Sequence, residues 1–144
     1  MLVLLLALTA GQSADTLRLA AGVHPGPLVI ERPTIVLGDS GAVVRGDGLG
    51  SVVVIRAGGR GSIIRGLRIE HSGRTPETDD AGVMVAADSV VLEDLIIRDI
   101  LFGVYLRQVR GAVVRRVDVP EGGALFRVGV QFTGEVDDQD LAAN

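Results

Sequence analysis

A phrase that returns at intervals in the low twenties constrains this chain more than any other feature. Within residues 81–119, AGVMVAADSVVLEDLIIRDILFGVYLRQVRGAVVRRVDV, the same pattern occurs twice. Gly82-Val83-Met84-Val85 returns as Gly103-Val104-Tyr105-Leu106, and the run from Ser89 to Ile97 returns as Gly111 to Val119. The second phrase has an upstream copy from Gly61 to Ile69, and the first has a downstream one in Gly129-Val130-Gln131-Phe132. Such a period, carried by β-branched residues, marks stacked units that cannot bury their apolar faces alone. Stacking the copies predicts inward columns of Ile64, Leu92 and Val114, of Leu67, Leu95 and Val117, and of Ile69, Ile97 and Val119. On a separate strand, Val83, Val104 and Val130 align, as do Val85, Leu106 and Phe132. Inward residues alternate with others, as a pleated strand requires. Gly and Asp break every window long enough for an amphipathic helix. The expectation is an all-β chain: a right-handed, single-stranded parallel β-helix, or solenoid, of about five coils. Each coil would take roughly 21–28 residues, the step from Ile64 to Leu92 being longer than that from Leu92 to Val114.

Composition agrees with thin coils. The chain has 144 residues, 47% of them hydrophobic but 3% aromatic, and 20 glycines. Small aliphatic residues fill a narrow lumen, and glycine allows its corners. Every basic residue is arginine, the net charge is −4, and no basic cluster is dense enough for nucleic acid. Without cysteine there is no disulfide, thiolate metal site or Cys nucleophile.

In chain order, residues 1–10, MLVLLLALTA, are uncharged and too short to span a bilayer. They read as the core of a signal peptide over residues 1–14, with Gly11, Ser13 and Ala14 as cleavage points; an inner strand or cap is the other reading. Export follows from the first, with no membrane span in the mature chain. The solenoid is expected over residues 15–134 and an acidic tail over 135–144. Strands are expected at 17–19, 28–30, 34–37, 42–44 and 51–55, with Gly22 to Pro27 as a turn cluster. Residues 70–80, EHSGRTPETDD, form the longest polar interruption, and solenoid insertions map to loops on one face.

Four phrases in this order resemble NosD-type proteins: Gly26 to Pro33, His71-Ser72-Gly73-Arg74, Asp80-Ala81-Gly82-Val83 and Leu101 to Leu106. The resemblance spans residues 15–119. It implies a periplasmic, right-handed parallel β-helix that works with an ABC transporter to supply the copper–sulfur centre of nitrous oxide reductase, as an accessory protein and not an enzyme. Transporter subunits and a client metalloenzyme are then the partners. Members of that family are longer and carry asparagine at the bends, where this chain has Gly66, Asp94 and Arg116. The segment is read as an N-terminal portion, because a bare last coil would leave strand edges open.

Copper would fall to His71 and Met84, since imidazole and thioether are the soft donors present. The plainer reading makes His71 a solvated loop residue and Met84 a packing residue. A binding face is expected from Arg74, Asp79 and Asp80 of the loop with Tyr105, Arg107 and Gln131, where Met84, Tyr105 and Gln131 form one outward column. The alternative function, oligosaccharide binding or cleavage, would use the same face. Cleavage needs two carboxylates about 5–10 Å apart, and adjacent Asp79 and Asp80 normally diverge. Ile63, Val91 and Val113, with Ile96 nearby, form an apolar outward column that calls for a cover. The rows Arg65/Glu93/Arg115 and Gly66/Asp94/Arg116 read as solvated surface pairs.

Overall fold

In the computed structural model, residues 14–119 are described, together with the backbone strands 124–128 and 132–136. The expected leader (residues 1–14) except Ala14, together with Gln131 and the tail beyond Val136, lies outside the described residues.

The chain runs through β1 (Asp15–Leu19), β2 (Gly22–Pro25), β3 (Leu28–Ile30), β4 (Thr34–Gly38), β5 (Ala42–Arg45), β6 (Val53–Ile55), β7 (Ile63–Arg65), β8 (Arg68–Glu70), β9 (Ala81–Val85), β10 (Val91–Arg98), β11 (Phe102–Leu106), β12 (Val109–Asp118), β13 (Ala124–Val128) and β14 (Phe132–Val136). Among the described residues, helix is confined to two single 3-10 turns, Ala57–Gly59 and Pro76–Thr78. Every strand pair described is parallel. One sheet stacks β3, β6, β9, β11 and β13; the other, of nine strands, bends around a corner. On one side of that corner lie β1, β4 and β7, on the other β2, β5 and β8, while β10 and β12 run through it unbroken. This all-β, parallel winding is compatible with a parallel β-helix.

The inward columns stand as the repeat implies. Val36, Ile64, Leu92 and Val114 are in register on four successive strands, none more than 1% exposed. Val53, Val83 and Val104 do the same on the other sheet, and so do Ile55, Val85 and Leu106. Each side chain meets its counterpart about 4.8 Å away on the next strand, so small aliphatics close the lumen without aromatics.

The corner between the two halves of β10 and β12 has a backbone cause. Gly66, Asp94 and Arg116 occupy equivalent positions with φ of 77°, 55° and 52°. One left-handed residue redirects an extended chain; glycine takes that conformation freely, Asp tolerates it, and for Arg it costs about 1 kcal/mol or more. Beneath Gly66 the packing leaves no room, since a Cβ on Gly38 would collide with the Gly66 carbonyl oxygen.

Two sequence expectations are corrected. Phe132 does not continue the column of Val85 and Leu106, and Val130 lies outside the described residues: Val104 pairs with Phe126, Tyr105 with Arg127 and Leu106 with Val128, while Phe132 pairs with Val109. The step from Val104 to Phe126 equals that from Val91 to Val113, so even spacing decides the register and the Gly-Val likeness does not. Gly22 to Pro25 is a strand, not a turn, because parallel pairing to β5 supplies the ladder that its own propensity lacks. The loop-bearing circuit is longer than the next, as expected, and matches the one before it, since Ile35 to Ile63 and Ile63 to Val91 are equal steps.

Outside, Ile63, Val91 and Val113 form the expected partly exposed column, headed also by Ile35, and Ile96 is 43% exposed. The charged rows pair in register, but Glu93 is 6% exposed and not a solvated residue. Arg65 from the strand above and Arg115 from the strand below flank it, so the long guanidinium stems cover the carboxylate.

Candidate functional site

Residues 71–80 leave the ladder as a loop that hangs from a second left-handed corner. His71 follows β8 with φ 71°, and Asp99 follows β10 directly beside it with φ 52°. Both corner residues point their side chains together: His71 Nδ1 lies 2.7 Å from Asp99 Oδ2. Arg74 then closes the group, donating through Nη2 to Asp99 Oδ1 and through Nη1 to the Ile100 carbonyl at 2.8 Å. The hydrogen bond from His71, reinforced by the positive Arg74, holds the Asp99 carboxyl below its ordinary range. An ionised carboxylate only accepts, so Nδ1 carries the proton and a neutral His71 keeps its Nε2 lone pair for another group. That nitrogen sits beside Gly48, where an added Cβ would be 3.2 Å away.

Beyond the corner the loop is stitched from both sides. Ser72 Oγ accepts the Leu101 N–H at 3.1 Å, and the Gly73 N–H donates to the Gly50 carbonyl at 2.8 Å. Asp80, 2% exposed, is its internal staple: it accepts from the Thr75 N–H at 3.0 Å and the Thr78 hydroxyl at 2.7 Å. Gly73 packs so closely on that carboxylate that an added Cβ would collide with Asp80 Oδ2. Asp79, at φ 53°, is half-buried between exposed Thr78 and buried Asp80 and turns the chain out of Pro76–Thr78. The carboxylate of Asp80 is committed inward, so the adjacent acids do not form the paired carboxylates that cleavage would need.

The rest of the expected face lies elsewhere. Met84 and Tyr105 are in register on β9 and β11, with Arg127 of β13 in the position that Gln131 was expected to fill. Tyr105 is 8% exposed, so its ring is packed rather than open for stacking. Arg107 is exposed just past β11, its N–H bonded to the Val85 carbonyl. The run from Phe102 to Tyr105 alone covers roughly 10 Å of strand, which separates the Asp99 corner from the Tyr105 rung. His71 and Met84, beside those two residues, belong to different ends of the strand. The two side chains expected as copper donors are thus apart, an imidazole at the corner and a thioether on the sheet; His24 Nε2 lies 2.7 Å from the Ala20 carbonyl. Among the described residues, no three His, Asp or Glu side chains group to hold a metal ion.

Sequence reading missed Asp99 as the partner of His71. The signal was available, because the step from His71 to Asp99 equals that from Ile64 to Leu92.

No protein-family model matches the chain, and no solved structure does. A curated protein of Pseudomonas aeruginosa, described as a probable ABC transporter binding protein NosD, is 35% identical over 98 residues. The alignment covers 67% of this chain and 22% of that protein, so the chain spans about a fifth of the relative's length. Among the described residues no helix is long and apolar enough to cross a membrane. The similarity to this curated protein supports a NosD-like relationship.

Proposed function

We propose that this chain is a non-catalytic accessory module of a NosD-type system, an exported right-handed parallel β-helix of about five coils. The observation that carries this reading is the 98-residue similarity to the P. aeruginosa transporter-binding protein. The scaffold supports it physically. Parallel rungs anchor the backbone that carries Arg74, Asp79 and Arg107, and rigid placement lowers the entropy cost of docking. The carboxylates with the best-defined surroundings, Asp80 and Asp99, are committed to holding the loop, which fits a presenting surface better than acid–base chemistry. The partners are ABC transporter subunits and a client metalloenzyme at its copper-site maturation. If copper is handled on these coils, His71 Nε2 is the oriented imidazole donor, and Met84 supplies a separate thioether.

The test is affinity capture with the full chain as bait and solubilised transporter subunits of a NosD-type system as prey. Retention that weakens in Arg74→Ala with Arg107→Ala supports the reading, and a folded bait that retains none sinks it. A Cu(I) titration against a competing chelator, repeated on His71→Ala and Met84→Ala, decides whether copper binds here. Oligosaccharide affinity that disappears in Tyr105→Ala would favour the sugar-binding alternative.

A further inference from the structure

We propose that the corner joining the five-stranded sheet to the nine-stranded one is a docking surface for an acidic, extended segment of a partner protein. The corner stacks residues 31–33, 56–62, 86–90 and 107–111 of successive coils. Five arginines stand there, Arg32, Arg56, Arg60, Arg107 and Arg110, against two acids, Glu31 and Asp88, in a chain whose net charge is −4. All five are exposed. They form two rows down the stack. In one, Arg56, Ala86 and Arg107 follow Ile55, Val85 and Leu106, which pair in register. In the other, Asp88 lies between Arg60 and Arg110: the Gly61 N–H donates to the Asp88 carbonyl at 3.0 Å, and the Ser89 N–H to the Arg110 carbonyl at 2.8 Å.

The charge on this corner is not balanced as it is elsewhere. Outside it, every described arginine lies within 3.8 Å of a carboxylate oxygen. Even Arg115, whose Nε makes no hydrogen bond among the described residues, lies 3.8 Å from Glu93 Oε2. On the corner, Glu31 holds Arg56 at 2.6 Å, and one oxygen of Asp88 accepts the Arg110 backbone N–H at 2.9 Å. The guanidinium groups of Arg60, Arg107 and Arg110 have no ion pair among the described residues. A guanidinium pairs best with a carboxylate laid across two of its N–H groups. Arg107 and Arg110 lie two rungs from Arg56 and Arg60, roughly 10 Å, and about three residues of an extended chain cover that span. One acidic segment running along the stack therefore reaches both pairs. Among the described residues no large apolar side chain is exposed on this corner to enter a bilayer. Tyr105, two residues before Arg107, is packed and not offered to a nucleic-acid base. An acidic polypeptide needs neither.

The inference goes beyond the NosD-type reading and does not need it, so its test uses a peptide and no transporter. The full chain is titrated with hexa-glutamate at low salt and followed by its backbone amide resonances in NMR. The expected result is a set of shifts centred on Gly61, Ser89 and Gly111, with an affinity that falls as salt rises. Replacing Arg60, Arg107 and Arg110 together by Gln should weaken binding ~10-fold or more, about 2–3-fold per arginine. Arg18→Gln, on β1 and paired with Asp39, should bind as the natural chain does. Replacing the same three arginines by Lys keeps the charge without the fork; it should also bind more weakly than the natural chain, and it carries the test should the Gln variant misfold. No binding, shifts centred elsewhere, binding unchanged in either triple variant, or binding of phosphatidylglycerol vesicles in preference to the peptide overturns the inference.

Discussion

The circuit from Ile63 to Val91 and the next, from Val91 to Val113, pass through the same faces, yet the first is visibly the longer in sequence. Their inward residues are interchangeable aliphatics. They differ at the surface: the long circuit carries the loop of His71, Arg74 and Asp80, and the short one supplies Asp99 and Ile100, on which that loop hangs. The ladder beneath is set by apolar burial and parallel hydrogen bonds, which recur at each rung whatever lies outside. An insertion is tolerated because lengthening a surface loop costs little entropy once its ends are held. Specific chemistry can therefore collect on one circuit without disturbing its neighbours.

If this division holds, damage to the ladder and damage to the loop should be separable. Leu92→Ala should cost the most, about 2–5 kcal/mol, because Leu92 is 1% exposed between Ile64 and Val114; urea unfolding of the full chain would measure it. A loss comparable to a surface substitution would mean the rungs are not a packed column. Gly38→Ala follows: its Cβ would collide with a backbone oxygen, which no side-chain shift relieves, so a loss of about 1–3 kcal/mol is expected in the same urea measurement. Asp80→Ala removes the loop staple. It should cost about 1–3 kcal/mol and leave the Thr75 N–H without its acceptor, with proteolytic cleavage appearing between residues 74 and 79. Unchanged protease resistance would show that the corner alone orders the loop.

Asp99 gives a smaller, pH-dependent effect. Its carboxyl titrates below the ordinary range because of His71 first and Arg74 second. A carboxyl depressed in the folded state stabilises above its unfolded value, near pH 4, and that stability is lost as pH falls through the lowered folded value. Asp99→Asn should flatten the loss of stability on acidification below about pH 4 while leaving the neutral limb nearly parallel; thermal melts across the acid range decide it. The side chain is 47% exposed, so solvent screens much of the effect. Least of all, Arg116→Gly relieves a left-handed arginine but gives up an exposed pair with Asp94 and one of the arginine contacts of buried Glu93, which Arg65 still engages. The two terms are each about 1 kcal/mol and opposed. Stability in urea should therefore change by less than about 1 kcal/mol while its salt dependence falls.

Particular residues show why some features were legible in the sequence. The columns of Ile64, Leu92 and Val114 could be written from it because a repeat that pairs with itself has to place like over like. Gly66, Asp94 and Arg116 were legible as bends because they interrupt two apolar runs at one fixed place. Phe126 was missed beneath Val104 because a tempting dipeptide match overrode the even spacing of the rungs. β2 was missed because its strand character comes from its neighbour and not from Gly, His and Pro.

Sequence alone therefore determined the period, the all-β ladder, the inward residues and the place of the loop, since all of these repeat along one dimension. Only the tertiary structure decided that Asp99 grips His71, that Asp80 is buried as a staple, that Tyr105 is packed, and that Arg115 Nε is left without a hydrogen bond among the described residues. Those outcomes depend on side-chain direction and on which neighbour reaches a partner first. Two residues a full circuit apart in sequence become adjacent only when the coil between them closes.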